Sequence, residues 1–155
     1  MNLVTVKIKM EDRRMMPIKA HASDACFDLT SSEEVTVFPG KAEVINLGFS
    51  LEIPVGWEAQ IRPRSGLSSK LKWAAFGTID ADYRGPVKTT IANFSDTPFH
   101  INIGDRIAQM AFSPVPQVSL MEVDSLSPSP RGAGGFGSTG VQALAPGNLN
   151  SGTDA

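Results

Sequence analysis

The sequence predicts an all-β fold, a sandwich, jelly roll or barrel of short strands with one short helix. Three observations carry this. The dominant hydrophobic period is two, turn-forming residues punctuate the chain at short intervals, and only residues 65–72 suit a helix. In order, Val4, Val6 and Ile8 alternate with Thr5, Lys7 and Lys9 as a first strand. "DACFDL" (24–29) sets Asp28 between Phe27 and Leu29, so on a strand its carboxylate leaves their face. "VINLGFSLEI" (44–53) is a longer strand, and "EAQIR" (58–62) and "VKTTIAN" (87–93) are shorter ones. "FHINI" puts Phe99, Ile101 and Ile103 on one face with His100 and Asn102 on the other. "GDRIAQM" (104–110) turns into a strand, and "SLMEV" (119–123) reads as the last. Between them lie the turn signals Pro39-Gly40, Pro54-Val55-Gly56, Gly85-Pro86, Asp96-Thr97-Pro98 and Gly104-Asp105.

The chain has 155 residues, 41% of them hydrophobic, enough for one domain with a core. A net charge of −2 offers no bulk attraction to nucleic acid or an anionic membrane, so neither is expected as a partner. A single cysteine, Cys26, excludes an internal disulfide framework, and two histidines leave little for a zinc site. No apolar run approaches the ~20 residues of a membrane span. The N-terminal alternation reads as a strand rather than a signal peptide, so an intracellular location is expected. From about residue 125 the composition turns to Ser, Pro and Gly. The expected division is a folded body over 1–124, a mobile glycine-rich arm over 125–140 and a disordered tail over 141–155.

Five polar stretches carry chemistry, each with a plainer reading beside it. "RGAGGFGSTG" (131–140) contains a G-x-G-x-x-G match at 132–137. It lacks the preceding strand, following helix and later acid of a dinucleotide fold, and no Lys precedes its Ser-Thr pair as a P-loop requires. A plain linker would not need Arg131 or Phe136. Exposed N–H groups, a guanidinium and hydroxyls on a flexible arm suit a polyphosphate, and a phenylalanine can cover a base. "RPRSGLS" (62–68) offers Arg64, Ser65 and Gly66 to an anion, or is a surface turn. "GTIDADYRG" (77–85) places Asp80 and Asp82 on one face if it is extended, with Tyr83 adjacent; it suits metal, water or simple solvation. Asp105 and Arg106 of "GDRIAQM" read as a surface pair of little worth, and Gln109 as an outward strand residue. Asp28 reads as a solvent-facing strand acid.

Taken together and in this order, "ACFDL", "PRSGL", "GTIDADYRG", "GDRIAQM" and "RGAGGFGSTG" resemble the trimeric deoxyuridine triphosphate nucleotidohydrolase (dUTPase) family, from about residue 4 to 140. The resemblance implies a jelly-roll-like body, a homotrimer with active sites at subunit interfaces, and a C-terminal arm closing over a neighbour's pocket. It implies Mg²⁺-assisted attack of water on the α-phosphorus of dUTP, giving dUMP and pyrophosphate, which keeps uracil out of DNA and supplies dUMP for dTMP synthesis. Asp80 matches the carboxylate that activates water. Tyr83 matches the ring on deoxyribose that leaves no room for a ribose 2′-hydroxyl. Asp28 matches the acid that holds water on the Mg²⁺. Arg64, Ser65, Gly66, Gln109 and Arg131 match phosphate contacts. Ser138 and Thr139 match arm contacts to the terminal phosphate, beside Gly137, and Phe136 matches the ring over uracil. Uracil would be read by hairpin backbone around Ala74, Gly77, Thr78 and Ile79. Cys26, Ala74 and Pro86 stand where the family usually has glycine, sometimes asparagine, and a polar residue. Two alternatives on the same scaffold are a dCTP deaminase, which needs a different set of acids, and a nucleotide-binding module without activity.

Overall fold

Alternation of apolar and polar residues on paired strands decides the architecture. The computed structural model describes residues 3–134. Its strands are β1 (Lys7–Met10), β2 (Phe27–Thr30), β3 (Val35–Val37), β4 (Ala42–Glu52), β5 (Trp57–Arg62), β6 (Lys72–Ala74), β7 (Gly77–Ile79), β8 (Pro86–Asn93), β9 (Phe99–Ile101) and β10 (Arg106–Pro114). One four-stranded sheet runs β1-β4-β8-β6 and a second β2-β10-β5-β7, with β3 and β9 as a separate pair. All of these ladders are antiparallel. The only helices among the described residues are α1 (Ser65–Ser68) and a single 3₁₀ turn (Arg13–Met15). No helix among them is long and apolar enough to cross a membrane.

The two larger sheets share one core. Ile45, Leu47, Phe49 and Leu51 of β4 alternate inward and meet Ile61 of β5 and Ile107 and Met110 of β10. Burial of side chains of this size, about 1.5–3 kcal/mol each, is the main term favouring the fold. A buried asparagine closes one end. Asn93 Nδ2 donates to the carbonyls of Val37 and Thr97, both at 2.8 Å, and its Oδ1 accepts from the Ser95 hydroxyl at 2.7 Å. Gly48 interrupts β4 where the β4–β8 register slips between Asn46 and Ser50. Its φ of +75° and a Ser32 Cβ only 3.0 Å from where its own Cβ would stand both demand glycine.

The expected turns fall between strands, except that Pro86 of the Gly85-Pro86 turn is already the first residue of β8. The strand expected at 119–123 does not form; those residues lack regular structure, with Leu120 and Met121 fully exposed. Alternation alone makes no strand without an edge to pair with, and Pro114 and Pro116 remove donors just before it. "FHINI" pairs only through Ile101, and Ile103 turns out to solvent at the 102–105 turn. The described residues divide into two units after Val118.

Candidate active site

One rung of the second sheet gathers the polar residues of three sequence stretches. Asp28 lies opposite Gln109 across β2–β10, and Gln109 lies opposite Arg62 across β10–β5. Their alternating neighbours Leu29, Ala108, Met110 and Ile61 are buried, so the rung faces away from the core. Beyond β5 the backbone of Arg64 is still extended, and its carbonyl accepts from the N–H groups of Leu67 and Ser68 at 3.1 and 3.0 Å to start α1. The N–H groups of Ser65 and Gly66 open that turn and have no acceptor within it. No atom lies within 4 Å of a Cβ at Gly66, so its front is open.

The Arg64 side chain folds back over β2. Its Nε donates to Asp28 Oδ1 at 2.9 Å, and Nη1 donates to the Arg106 carbonyl at 3.0 Å. Arg106 Nη1 donates to the other Asp28 oxygen, Oδ2, at 3.0 Å. Asp28 is the most enclosed of the three, with 16% of its side chain exposed against 27% for Arg64 and 51% for Arg106. Gln109 Nε2 donates to the Pro63 carbonyl at 2.8 Å, which ties the approach to α1 onto β10. Arg106 thus pairs with Asp28 and not with its sequence neighbour Asp105, whose carboxylate accepts from Asn102 N at 2.8 Å. Sequence reading missed this residue.

A second cluster surrounds the end of β7. Residues 80–83 form a turn, with Tyr83 N donating to the Asp80 carbonyl at 3.2 Å, so the two acids are not held on one extended face. Asp80 is exposed, and its carboxylate has no hydrogen-bond partner among the described residues. A groove of about 250 Å³ opens between Thr78, Ile79, Asp80, Tyr83, Pro86, Val87 and Lys88. The Tyr83 hydroxyl donates to the Pro86 carbonyl at 3.2 Å and its ring covers Gly85.

The segment expected as a self-paired hairpin is arranged differently. β6 pairs with β8 in the first sheet, whereas β7 pairs with β5 in the second. Ala75 and Phe76 carry the chain between sheets, and Ala75 N donates to the Thr90 carbonyl at 2.8 Å. Ala74 and Ile79 bury their side chains in the core, leaving only their backbone for a ligand, while Gly77 and Thr78 are exposed. No ladder joins β7 to β8, and Thr78 and Ile79 of the one and Pro86, Val87 and Lys88 of the other line the groove together.

The clusters sit far apart on one chain. Ile79 lies opposite Ala59, whereas Gln109 lies opposite Arg62. Three strand spacings of about 4.8 Å and a stagger of about four residues put Asp80 roughly 20 Å from Asp28. An apolar groove of about 400 Å³, lined by Val4, Ile8, Met16, Phe27, Met110 and Phe112 among others, has no titratable group in its lining and lies on the opposite face from Asp28 and Gln109. No group of three or more His, Cys, Asp or Glu among the described residues forms a metal cage. Arg131 lies in the second unit, where its Nε donates to the Gly134 carbonyl at 2.7 Å. Phe136, Gly137, Ser138, Thr139 and the tail at 141–155 lie outside the described residues.

Comparison with known proteins bears on this arrangement. The dUTPase family model matches residues 12–140. A deoxyuridine 5'-triphosphate nucleotidohydrolase of Nautilia profundicola is 44% identical over 135 residues, 85% of this chain and 95% of that one. One from Clostridium tetani is 46% identical over 141 residues, 88% of this chain and 97% of that one. Among solved structures, the dUTPase of Staphylococcus bacteriophage 80alpha, with dUpNHpp bound, superposes with a TM-score of 0.82 at 30% identity, covering 88% of this chain and 99% of that one. A dUTPase from phage phi11 of S. aureus, described with a structural Mg(II) ion, gives 0.72 at 28% identity, covering 78% and 97%.

Proposed function

We propose, from the premise that the chain belongs to the dUTPase family, how its residues divide the work of that family. The enzyme hydrolyses dUTP to dUMP and pyrophosphate, which keeps uracil out of DNA and supplies dUMP for dTMP synthesis. Asp80 takes the proton of the attacking water as general base; an exposed carboxylate without a competing partner among the described residues, beside the Tyr83 groove, suits that task. The Tyr83 ring packs on deoxyribose and shuts out a 2′-hydroxyl. The backbone of Ala74, Gly77, Thr78 and Ile79 reads uracil. Arg64, Ser65, Gly66 and Gln109 hold the phosphates with donors fixed before substrate arrives.

Bound Mg²⁺ would supply charge neutralisation on the phosphate oxygens, and Asp28 is the residue that would hold it through water. Asp28 fits an outer position. A carboxylate offers about four lone-pair sites, so two remain for water after Arg64 and Arg106 have donated. Mg²⁺ keeps several waters and leans on substrate phosphates, so a single carboxylate suffices on the protein side.

The observation that carries the proposal is the strand order β2-β10-β5-β7, which sets Asp28 and the end of β7 at opposite edges of one sheet. The α-phosphorus and a metal chelated by the same triphosphate are a few ångströms apart, far less than the roughly 20 Å between Asp80 and Asp28 on one chain. Each site therefore combines Asp28, Arg64 and Gln109 of one copy with Asp80 and Tyr83 of another, in a homotrimer. An outward-facing patch supports assembly: Trp73, Phe76 and Phe94 are 43%, 68% and 65% exposed around the β6–β8 edge. Residues 125–140 act as a lid in the same scheme, with Arg131, Gly137, Ser138 and Thr139 on phosphate and Phe136 over uracil. An intracellular location, where deoxynucleotides are made, belongs to this reading, with no role for nucleic acid or membrane. The test is pyrophosphate release from a panel of deoxy- and ribonucleoside triphosphates, with and without Mg²⁺. Selective, Mg²⁺-stimulated turnover of dUTP that is lost by about 10²–10⁴-fold in Asp80→Asn is expected. An Asp80→Asn enzyme with undiminished turnover would refute the base assignment.

A further inference from the structure

We propose that Arg106 is a positioning residue that keeps Asp28 from closing a bidentate pair with Arg64, leaving Nη2 of Arg64 for phosphate and the remaining lone pairs of Asp28 for water. The proposal rests on the reading of Asp28 and Arg64 just given.

The backbone spends an extra residue to aim this side chain. Counting back from Gln109 in regular alternation, Arg106 would point into the core. A β-bulge intervenes: Ala108 lies opposite Leu29, yet Arg106 lies opposite Thr30, so Ile107 is additional. Both Ile107 and Ala108 are buried in consequence. Thr30 is two residues from Asp28, so the bulge turns Arg106 onto the face of Asp28 and Gln109. Bulges beside active sites commonly re-aim a side chain in this way. The strand start is also anchored, because Ser31 N donates to the Asp105 carbonyl at 2.9 Å.

Arg106 then touches both partners. Its guanidinium holds Asp28 Oδ2 and its carbonyl accepts from Arg64 Nη1 at 3.0 Å. The preferred geometry of an isolated Arg–carboxylate pair is a two-pronged fork using both oxygens. Here Arg64 has only Oδ1, through Nε, and its Nη2 has no partner among the described residues. Removing the Arg106 side chain frees Oδ2 to rotate onto that Nη2. The fork would then draw Arg64 away from the triphosphate and fix the carboxylate lone pairs that a metal-held water needs.

The test is isothermal titration of the non-hydrolysable analogue dUpNHpp into full-length protein, in EDTA and in Mg²⁺. The variants are Arg106→Gln, Arg106→Lys, Asp28→Asn and the Asp28→Asn/Arg106→Gln double, each checked for folding by thermal melting. In EDTA, Arg106→Gln should weaken the analogue by about tenfold, the scale of one charge-assisted hydrogen bond, and Arg106→Lys should recover part of it. In the Asp28→Asn background the same change should have less than about a twofold effect, because the competing carboxylate is gone. Equal losses in both backgrounds would show Arg106 touching phosphate directly and overturn the proposal. So would a lower melting temperature with unchanged affinity. If Asp28→Asn leaves the Mg²⁺ enhancement of binding intact, the metal-side reading of Asp28 fails, and the EDTA comparison still decides the role of Arg106.

Discussion

Gly85→Ala should damage sugar selection while barely touching stability. A Cβ at position 85 would stand 2.6 Å from Tyr83 Cζ and 3.0 Å from Cε2, and closer still to the hydroxyl oxygen. Unstrained contacts between carbons lie at about 3.5–4.0 Å, so the ring must retreat by about 1 Å. The retreat breaks the 3.2 Å bond from the Tyr83 hydroxyl to the Pro86 carbonyl. Tyr83 is 46% exposed, so it has room to move, and the melting temperature should report a change of no more than about 1 kcal/mol. A misplacement of about 1 Å in a positioning group can cost about 10²-fold in rate. Steady-state assays of dUTP and UTP should therefore give kcat/KM for dUTP lower by about 10–100-fold with UTP unchanged or raised, a loss of at least about tenfold in selectivity. Tyr83→Phe, which keeps the ring, should stay within a few-fold of the parent. Unchanged selectivity and dUTP turnover in Gly85→Ala would refute the claim that the Tyr83 ring position sets sugar choice.

Three further outcomes follow from the same structure. Gly48→Ala should destabilise the protein by about 1–3 kcal/mol in denaturant titration, because a left-handed backbone and a 3.0 Å contact to Ser32 Cβ coincide there. Removal of residues 131–155 should lower turnover strongly and leave the melting of the body unchanged; full activity in the truncated protein would end the lid assignment. The Lys7 ammonium, 2.7 Å from Glu52, holds that carboxyl below its ordinary range. Its small, solvent-screened stabilisation is therefore complete above the ordinary glutamate pKa and lost as pH falls through the lowered value. The difference in melting temperature between the parent and Glu52→Gln should be constant near neutrality and vanish in acid.

Long alternating runs proved readable because burial of one face leaves little choice of register: β4 and β5 lie where Ile45, Leu47 and Phe49, and Ala59 and Ile61, are buried at every second position. Three-residue strands such as β3, β6 and β7 carry too few positions to show a period. The split of 72–79 between two sheets depends on which distant strands, β8 and β5, have edges to offer. The 119–123 segment shows the converse, a strand-like pattern with no edge to join. Of the candidate site, the motifs singled out Asp28, Arg64, Gln109, Asp80 and Tyr83; the structure sets Asp28 opposite Gln109 on one rung and brings Arg64 Nε onto Asp28 from beyond β5. Arg106 was not legible, because the bulge at Ile107 reverses the face that alternation assigns, and nothing in "GDRIAQM" marks the extra residue.

The claim that the site is assembled from different copies can be measured by mixing two inactive variants. Asp28→Asn and Asp80→Asn chains, each without turnover, would be unfolded together at equal amounts, refolded, and assayed for pyrophosphate release from dUTP. If Asp28 and Asp80 of one site come from different chains, random assembly restores about a quarter of the sites, and about a quarter of parental activity should return. If both residues of a site belong to one chain, every site keeps a defect, and an inactive mixture would contradict the account.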